Sequence, residues 1–224
     1  MKVTTDACLF GAWAADRIKN EKSIIDNCLD IGTGTGLLAL MIAQKIKTDI
    51  DTIEMDELAA EQAIENTEAS PWKERITVIN ADARSYSFSK KYNCIISNPP
   101  FYENELKSDN IKKNIAHHNE GLLLPELLSI IRTQLEPGGM FFLLLPYKRN
   151  TEIKELLLQH EFALSQMMLV RQSVNHDYFR IMLAGKLKTN EPAEIMIDEI
   201  SIKDDKQQYT AEFTELLKDY YLYL

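Results

Sequence analysis

The stretch Asp30-Ile31-Gly32-Thr33-Gly34-Thr35-Gly36 decides how the rest of the chain is read. It stands between Asn27-Cys28-Leu29-Asp30-Ile31, a short strand-like run, and Leu37 to Ala43, an apolar helix-like run. Glycines at such a junction admit backbone conformations closed to other residues and let a ligand approach the main chain. The helix that follows offers free N–H groups and a favourable field for an anionic group. A dinucleotide fingerprint G-x-G-x-x-G counted from Gly32 needs glycine at position 37, which is Leu37 here. The pattern is instead D-x-G-x-G-x-G, with an acidic residue near the end of the strand. That favours a cationic or amine-bearing ligand near Asp30 over a pyrophosphate. A plain strand-to-helix turn also suits these residues.

Outward from this loop the same alternation repeats. Ile50 to Met55 reads as a second strand and Asp56 to Ala69 as a helix rich in Glu and Ala. Arg75 to Ile79 and Tyr92 to Ser97 read as a third and a fourth strand. Pro125 to Leu135 reads as a helix stopped by Pro137-Gly138-Gly139, and Met140 to Leu145 as a continuous apolar strand. Strand cores that are apolar throughout and alternate with helices predict a mostly parallel sheet covered on both faces. Val170 and Tyr178 to Ala184 flank an expected hairpin near the sheet's edge. Ile195 to Ile202 alternates apolar and polar residues, and Thr210 to Tyr223 is amphipathic. The expected fold is α/β: one doubly wound, mostly parallel sheet with an antiparallel edge hairpin. No repeat, low-complexity stretch or Pro/Gly/Ser linker divides residues 1–224, so one domain is expected.

Composition narrows the class. The chain has 224 residues, 45% hydrophobic and 26% charged, which is globular composition. The longest apolar runs, such as Phe141 to Leu145, are too short to span a bilayer, and Lys2, Asp6, Asp16 and Arg17 interrupt any secretory signal. Cys8, Cys28 and Cys94 lie singly in apolar surroundings without C-x-x-C spacing. They argue against a disulfide framework and a structural zinc site, and fit a reducing cytoplasm. The four histidines, His117, His118, His160 and His176, are too dispersed for metal spacing, so no metal is expected. The net charge of −9 speaks against nucleic acid as a partner, but its distribution softens that reading. Residues 188–224 carry 9 acidic and 4 basic residues, which leaves 25 acidic and 21 basic in the remainder. A nearly balanced body can present a local basic face.

Three further points carry chemistry. Glu54 ends the second strand, where an acidic side chain can accept hydrogen bonds from both hydroxyls of a ribose. Met55 beside it suits an adenine face, although a solvated charge at a strand end is common. Asp56 also suits a helix cap. In Asn80-Ala81-Asp82-Ala83 a carboxylate can accept from an adenine amino group while a backbone N–H serves a ring nitrogen; a bland turn role for Asp82 is equally available. The decisive element is Ser97-Asn98-Pro99-Pro100-Phe101. Two prolines set the chain direction and remove two N–H donors. The Asn98 amide oxygen and the Pro99 carbonyl can then accept both hydrogens of one planar NH₂ group, turning its lone pair towards an electrophile. Phe101 can stack on the ring that carries the amine.

The ordered set Asp30, Gly32, Gly34, Gly36, Glu54, Asp82 and Asn98-Pro99-Pro100-Phe101 resembles class I S-adenosylmethionine-dependent methyltransferases that act on amino groups. Lys2 to Trp13, Ser70-Pro71-Trp72 with Arg75-Ile76, and the ending from Gln208-Tyr209 to Tyr223-Leu224 resemble the bacterial tRNA(Val) (adenine-N6)-methyltransferase family over nearly the whole chain. The resemblance implies a Rossmann-like fold, S-adenosyl-L-methionine as cofactor, and N6-methylation of the adenosine 3′ of the anticodon by a cytoplasmic enzyme. It implies that Asp30, Gly32, Gly34 and Gly36 surround the methionine part. Glu54 with Met55 would hold the ribose and adenine, Asp82 and Ala83 the adenine, and Asn98, Pro99 and Phe101 the target base. It also implies an N-terminal leader ahead of Met1, missing from this sequence, and places His117 where related chains often carry arginine. Expected RNA contacts are Lys112, Lys113 and His117, after Lys107 and beside His118, together with Lys148, Arg149 and Arg171; Arg180 is a further cation of this kind. The expected partner is tRNA, with no membrane and no protein partner. Methylation of a protein glutamine or an rRNA guanine, or an RNA-binding module without catalysis, are the alternatives.

Overall fold

The computed structural model describes residues 3–21, 24–100, 121–189 and 194–223. After the helix α1 (Thr5–Lys19) the chain forms β1 (Asn27–Ile31), α2 (Leu37–Lys45), β2 (Asp49–Glu54), α3 (Glu57–Glu68), β3 (Ile76–Asn80) and β4 (Tyr92–Ser97). Then come α4 (Leu124–Gln134), β5 (Leu135–Pro146), α5 (Asn150–Gln159), β6 (Phe162–Ser173), β7 (Tyr178–Leu187), β8 (Met196–Lys203) and α6 (Ala211–Leu217). The strands make one sheet in the order β3-β2-β1-β4-β5-β7-β6-β8. From β3 to β5 all neighbours are parallel, β7 runs antiparallel to β5 and β6, and β8 is parallel to β6.

This is the doubly wound sheet that the sequence predicts, with its hairpin near one edge. The outermost strand on that side is β8, which flanks the hairpin through β6. Its alternation shows in burial only in the second half: Ile200 and Ile202 are buried on either side of Ser201, while Met196 to Glu199 are all exposed. Among the described residues, no helix is long and apolar enough to cross a membrane.

Side-chain alternation on the central strands explains the two layers. Cys28, Cys94, Ile96, Phe142 and Leu144 point into the core beneath α1 and α2, while Leu29, Ile31, Ile95, Phe141 and Leu143 point into the core beneath α4 and α5. Glycine permits close approach on the first side: a Cβ at Gly11 of α1 would lie 2.6 Å from the Met41 sulfur of α2. Arg75 ties the loop after α2 to the sheet, donating to the carbonyls of Ala43 and Ile46 at 2.7 Å and of Thr48 at 3.3 Å.

One local reading holds to within a residue and another is corrected. The helix α4 stops before Pro137-Gly138-Gly139, because Leu135 is extended and fully buried beside Tyr92. Pairing then resumes only at Met140 beside Cys94, so Pro137-Gly138-Gly139 falls in a bulge of β5, with Gly138 at φ +82°. The cysteines do not all lie singly. Cys28 and Cys94 are register partners on adjacent strands, both buried and free.

Candidate active site

The carboxyl ends of the parallel strands bring the predicted residues to one rim of the sheet, the place where open α/β sheets bind ligands. Gly32 and Thr33 donate to the Ile53 carbonyl at 2.8 and 3.3 Å, so the loop after β1 stays attached to β2. Gly32, Gly34 and Gly36 have φ of +71°, +58° and +84°, the left-handed region that favours glycine. A Cβ built on Gly32 would have nothing within 4 Å, so space is open above the loop there. Beneath it the packing is close: Ala63 of α3 lies 3.6 Å from the position of a Cβ on Gly36, and Asn66 donates to the Thr35 carbonyl at 2.9 Å.

Asp30 is fully buried. One of its carboxylate oxygens, Oδ2, accepts from the Thr33 hydroxyl at 2.5 Å, and the other, Oδ1, has no hydrogen-bond partner. Burial raises its pKa to about 7; the Thr33 bond opposes that rise, and the negative charge of Glu54 adds to it. The Ala39 amide of α2 also lowers it, so the carboxyl has donors on one side while Oδ1 stays open to a further donor or a cation.

Glu54 closes the loop from the β2 side. Its Oε2 accepts from the Gly34 amide at 2.8 Å, and its Oε1 accepts from the Asp56 amide at 2.9 Å. Each carboxylate oxygen retains capacity for another donor. Asp56 caps α3, accepting from the Ala59 amide at 2.8 Å. Met55 beside it is 45% exposed, so its thioether is open to a planar ring.

Asp82 follows β3 on the same rim. The Asn80 side chain donates to the Glu54 carbonyl at 3.0 Å and holds the ends of β2 and β3 together. Both Asp82 oxygens accept from the Arg84 guanidinium, at 3.0 Å from Nε and 2.7 Å from Nη2. That pairing holds the Asp82 carboxyl below its ordinary range. Arg84 also brings Nη2 to 3.8 Å from the Met55 sulfur. Sequence reasoning missed Arg84, Thr33 and Asn66. A hydroxyl three residues after a strand-end Asp and an arginine two residues after a loop Asp were the available signals.

At the end of β4 the Ser97 hydroxyl donates to the Ile31 carbonyl at 2.7 Å, locking this strand to β1. Asp30 is the register partner of Ile96. Asn98 therefore stands two residues beyond the level of Asp30 on the neighbouring strand, about 6.6 Å along the strand direction. Asn98 is partly buried and Pro99 buried. Phe101, Lys107, Lys112, Lys113, His117 and His118 lie outside the described residues.

The other expected RNA contacts separate into two kinds. Lys148 and Arg149 sit in the 3-10 turn Tyr147–Arg149 directly after β5, with Arg149 Nε 3.7 Å from Glu152. Arg171 instead pairs with Glu199 at 3.0 Å and donates to the Tyr178 hydroxyl at 2.5 Å, and Arg180 pairs with Asp6 at 2.7 Å. Arg171 is thus occupied within the protein, which weakens the expectation that it holds a phosphate.

The model of the methyltransferase small domain family matches residues 15–168. The chain is 37% identical to a tRNA1(Val) (adenine(37)-N6)-methyltransferase of Dyadobacter fermentans, over 99% of this chain and 91% of the relative. A relative of the same description from Pectobacterium carotovorum is 34% identical, with 100% and 88% covered. Among solved structures, a predicted O-methyltransferase of Agrobacterium tumefaciens superposes with a TM-score of 0.73 at 16% identity, over 95% of each chain. A glycopeptide N-methyltransferase complexed with S-adenosylmethionine gives 0.57 at 12% identity, over 79% of this chain and 94% of that one. At these identities the structural likeness establishes the fold, which is that of the class I methyltransferases.

Proposed function

The chain belongs to the methyltransferase small domain family and, within it, to the tRNA1(Val) (adenine(37)-N6)-methyltransferases, and on that premise we propose that it methylates N6 of adenosine 37 in tRNA1(Val) with S-adenosylmethionine. The observation that supports the chemistry is the register of β1 with β4, Asp30 with Ile96 and Ile31 with Ser97, by which the glycine loop and Asn98-Pro99 follow adjacent strands at the same end of the sheet. A methyl donor held by that loop and an amine held by Asn98 would then meet at one strand junction. Residues 1–224 act as one methyltransferase domain in this reading, working in the cytoplasm on tRNA.

The residues fit the cofactor on the strength of two features. Asp30 Oδ1 is buried without a partner, and Gly32 faces open space. The cofactor supplies an electrophilic methyl group on a positively charged sulfur. Asp30, buried and partly discharged on its own, gains from a cationic neighbour and stays close to the Thr33 hydroxyl. Glu54 accepts from the ribose hydroxyls with the lone pairs that Gly34 and Asp56 leave available. Met55 and Ala83 flank the adenine. For Asp82 to accept from the adenine amino group, the Arg84 guanidinium must release one of the oxygens it now holds.

The chain's work on the substrate is alignment and polarisation. Asn98 and the Pro99 carbonyl accept the two amine hydrogens, drawing the nitrogen towards tetrahedral geometry so that its lone pair faces the methyl group. Phe101 stacks on the extruded base. A positioned, water-poor pair of acceptors contributes most when charge develops on the amine. No side chain need remove the proton first: the N–C bond would form as the donor's C–S bond breaks and leaves a neutral thioether, and the methylated nitrogen would then lose its proton to solvent. Lys148 and Arg149 attract the RNA backbone to the rim.

Incubating the protein with unmodified tRNA1(Val) and S-adenosylmethionine, then mapping modified nucleosides by mass spectrometry, tests the reading. N6-methyladenosine at position 37 is expected. Methylated guanine, methylated glutamine on a protein substrate, or tRNA binding without transfer would each replace it.

A further inference from the structure

We propose that Tyr147 is a stacking platform for a nucleobase of the anticodon loop next to the target adenine, with Tyr178 and Arg171 as the residues that position it. The proposal rests on the tRNA reading above and extends it to a second base-binding point. Tyr147 follows Pro146, the last residue of β5, and opens the same short turn as Lys148 and Arg149. Ser97, the last residue of β4, pairs with Leu143, so the Asn98-Pro99-Pro100 turn and the last residues of β5 leave adjacent strands at the same end of the sheet. Tyr147 therefore follows β5 at the same end of the sheet as the Asn98-Pro99-Pro100 turn, with one side packed against the core beneath α4 and α5 and with two cations following it in the chain.

The ring does not stand alone. Its centroid lies 5.3 Å from that of Tyr178, with the planes tilted by 46°. Tyr178 is in turn covered on its other contacts by Arg171, whose guanidinium carbon lies 4.3 Å from the Tyr178 centroid. Arg171 donates to the Tyr178 hydroxyl at 2.5 Å and to Glu199 at 3.0 Å, and the Tyr178 hydroxyl donates to the same Glu199 carboxylate. These three residues come from β6, β7 and β8, which are paired at this level. A cation with its charge answered and its guanidinium carbon over a ring is a brace. It holds Tyr178 rigid, and Tyr178 limits the tilt of Tyr147.

A rigid aromatic beside a basic turn is the arrangement that binds single-stranded nucleic acid: cations follow the backbone while the ring takes a base face. Tyr147 and Tyr178 both remain partly exposed, so the pair has surface to offer a base. An anticodon loop supplies unpaired bases on either side of the one that is extruded. Arg171, which a count of cations places among phosphate contacts, acts here through the two rings.

The test uses the full chain, a tRNA1(Val) transcript and S-adenosylmethionine, with transcript affinity measured across a salt series. Tyr147→Ala should weaken transcript binding by roughly 5- to 150-fold, the range expected for one lost base stack. Its salt slope and its cofactor affinity should match wild type, and Tyr147→Phe should restore binding. Tyr178→Phe, which keeps the ring but loses the hydroxyl bonds, should fall between them, and thermal melts verify folding of each variant. Unchanged transcript affinity in folded Tyr147→Ala, or a loss that appears as a flatter salt slope, overturns the platform while leaving tRNA methylation standing. Wild-type protein that neither binds nor methylates the transcript overturns both readings.

Discussion

Glu54 at the end of β2 accepts a hydrogen bond from the Gly34 amide at 2.8 Å, across a sequence separation of 20 residues. One carboxylate thereby shapes the glycine loop and, through its remaining lone pairs, offers acceptors to a ligand above that loop. Removing it should affect both. Glu54→Ala should weaken S-adenosylmethionine binding by about 1–3 kcal/mol, for two lost hydrogen bonds to a charged acceptor. Glu54→Gln keeps one acceptor oxygen and should lose less. Calorimetry on both variants measures this, and an unchanged affinity in Glu54→Ala would exclude the residue from the site.

Asp30 predicts a pH dependence. Its pKa rises from 3.8 to about 7 in the folded protein, chiefly through burial. Between those values the native state holds a proton that the unfolded chain has released. The stability linked to Asp30 is therefore fully present below about pH 4 and is lost as pH rises through 7. The loss amounts to about 4 kcal/mol at most. Asp30→Asn should abolish this contribution and be more stable than wild type at pH 8, as read by denaturant midpoints at pH 5 and 8. A cationic cofactor favours the ionised carboxylate, so cofactor affinity should rise between pH 5.5 and 7.5 with release of a proton. Calorimetry in two buffers of different ionisation enthalpy detects that proton; no release, or the same release in Asp30→Asn, contradicts the contact.

Asn98 separates chemistry from folding. Asn98→Ala removes the side-chain acceptor and keeps Pro99 and Pro100, which direct the chain. Single-turnover methylation with saturating tRNA and cofactor should slow by about 10²- to 10³-fold, the usual loss for one aligned electrostatic group. Melting should stay close to wild type. A folded variant with a near-normal rate would rule out the two-acceptor mechanism.

Lys148 and Arg149 carry the electrostatic prediction. Despite the net charge of −9, tRNA affinity should fall as salt rises while cofactor affinity changes little. Replacing both by alanine should flatten the log–log slope by about 1 to 2, one per lost phosphate contact. A slope that does not move would place the RNA backbone elsewhere on the surface.

Much of the molecule was determined by the sequence alone. The alternation of apolar strands with helices, the glycine loop, the strand-end Glu54 and the rigid Asn98-Pro99-Pro100 turn depend on short-range rules of periodicity and backbone sterics, which act within a few residues. Strand limits followed closely: Tyr92 to Ser97 is the fourth strand in both readings. The tertiary structure decided what joins distant segments. Only packing pairs Glu54 with Gly34, sets Cys28 beside Cys94, and turns Arg171 from a free cation into the brace on Tyr178. The bulge at Pro137-Gly138-Gly139 belongs to the same class. The helix ends within a residue of where the sequence places it, but the bulge that follows exists only because Leu135 is buried against the sheet beside Tyr92. Such outcomes depend on which strands become neighbours, and that choice is made by the combined burial of both faces of the sheet, which no local stretch of sequence encodes.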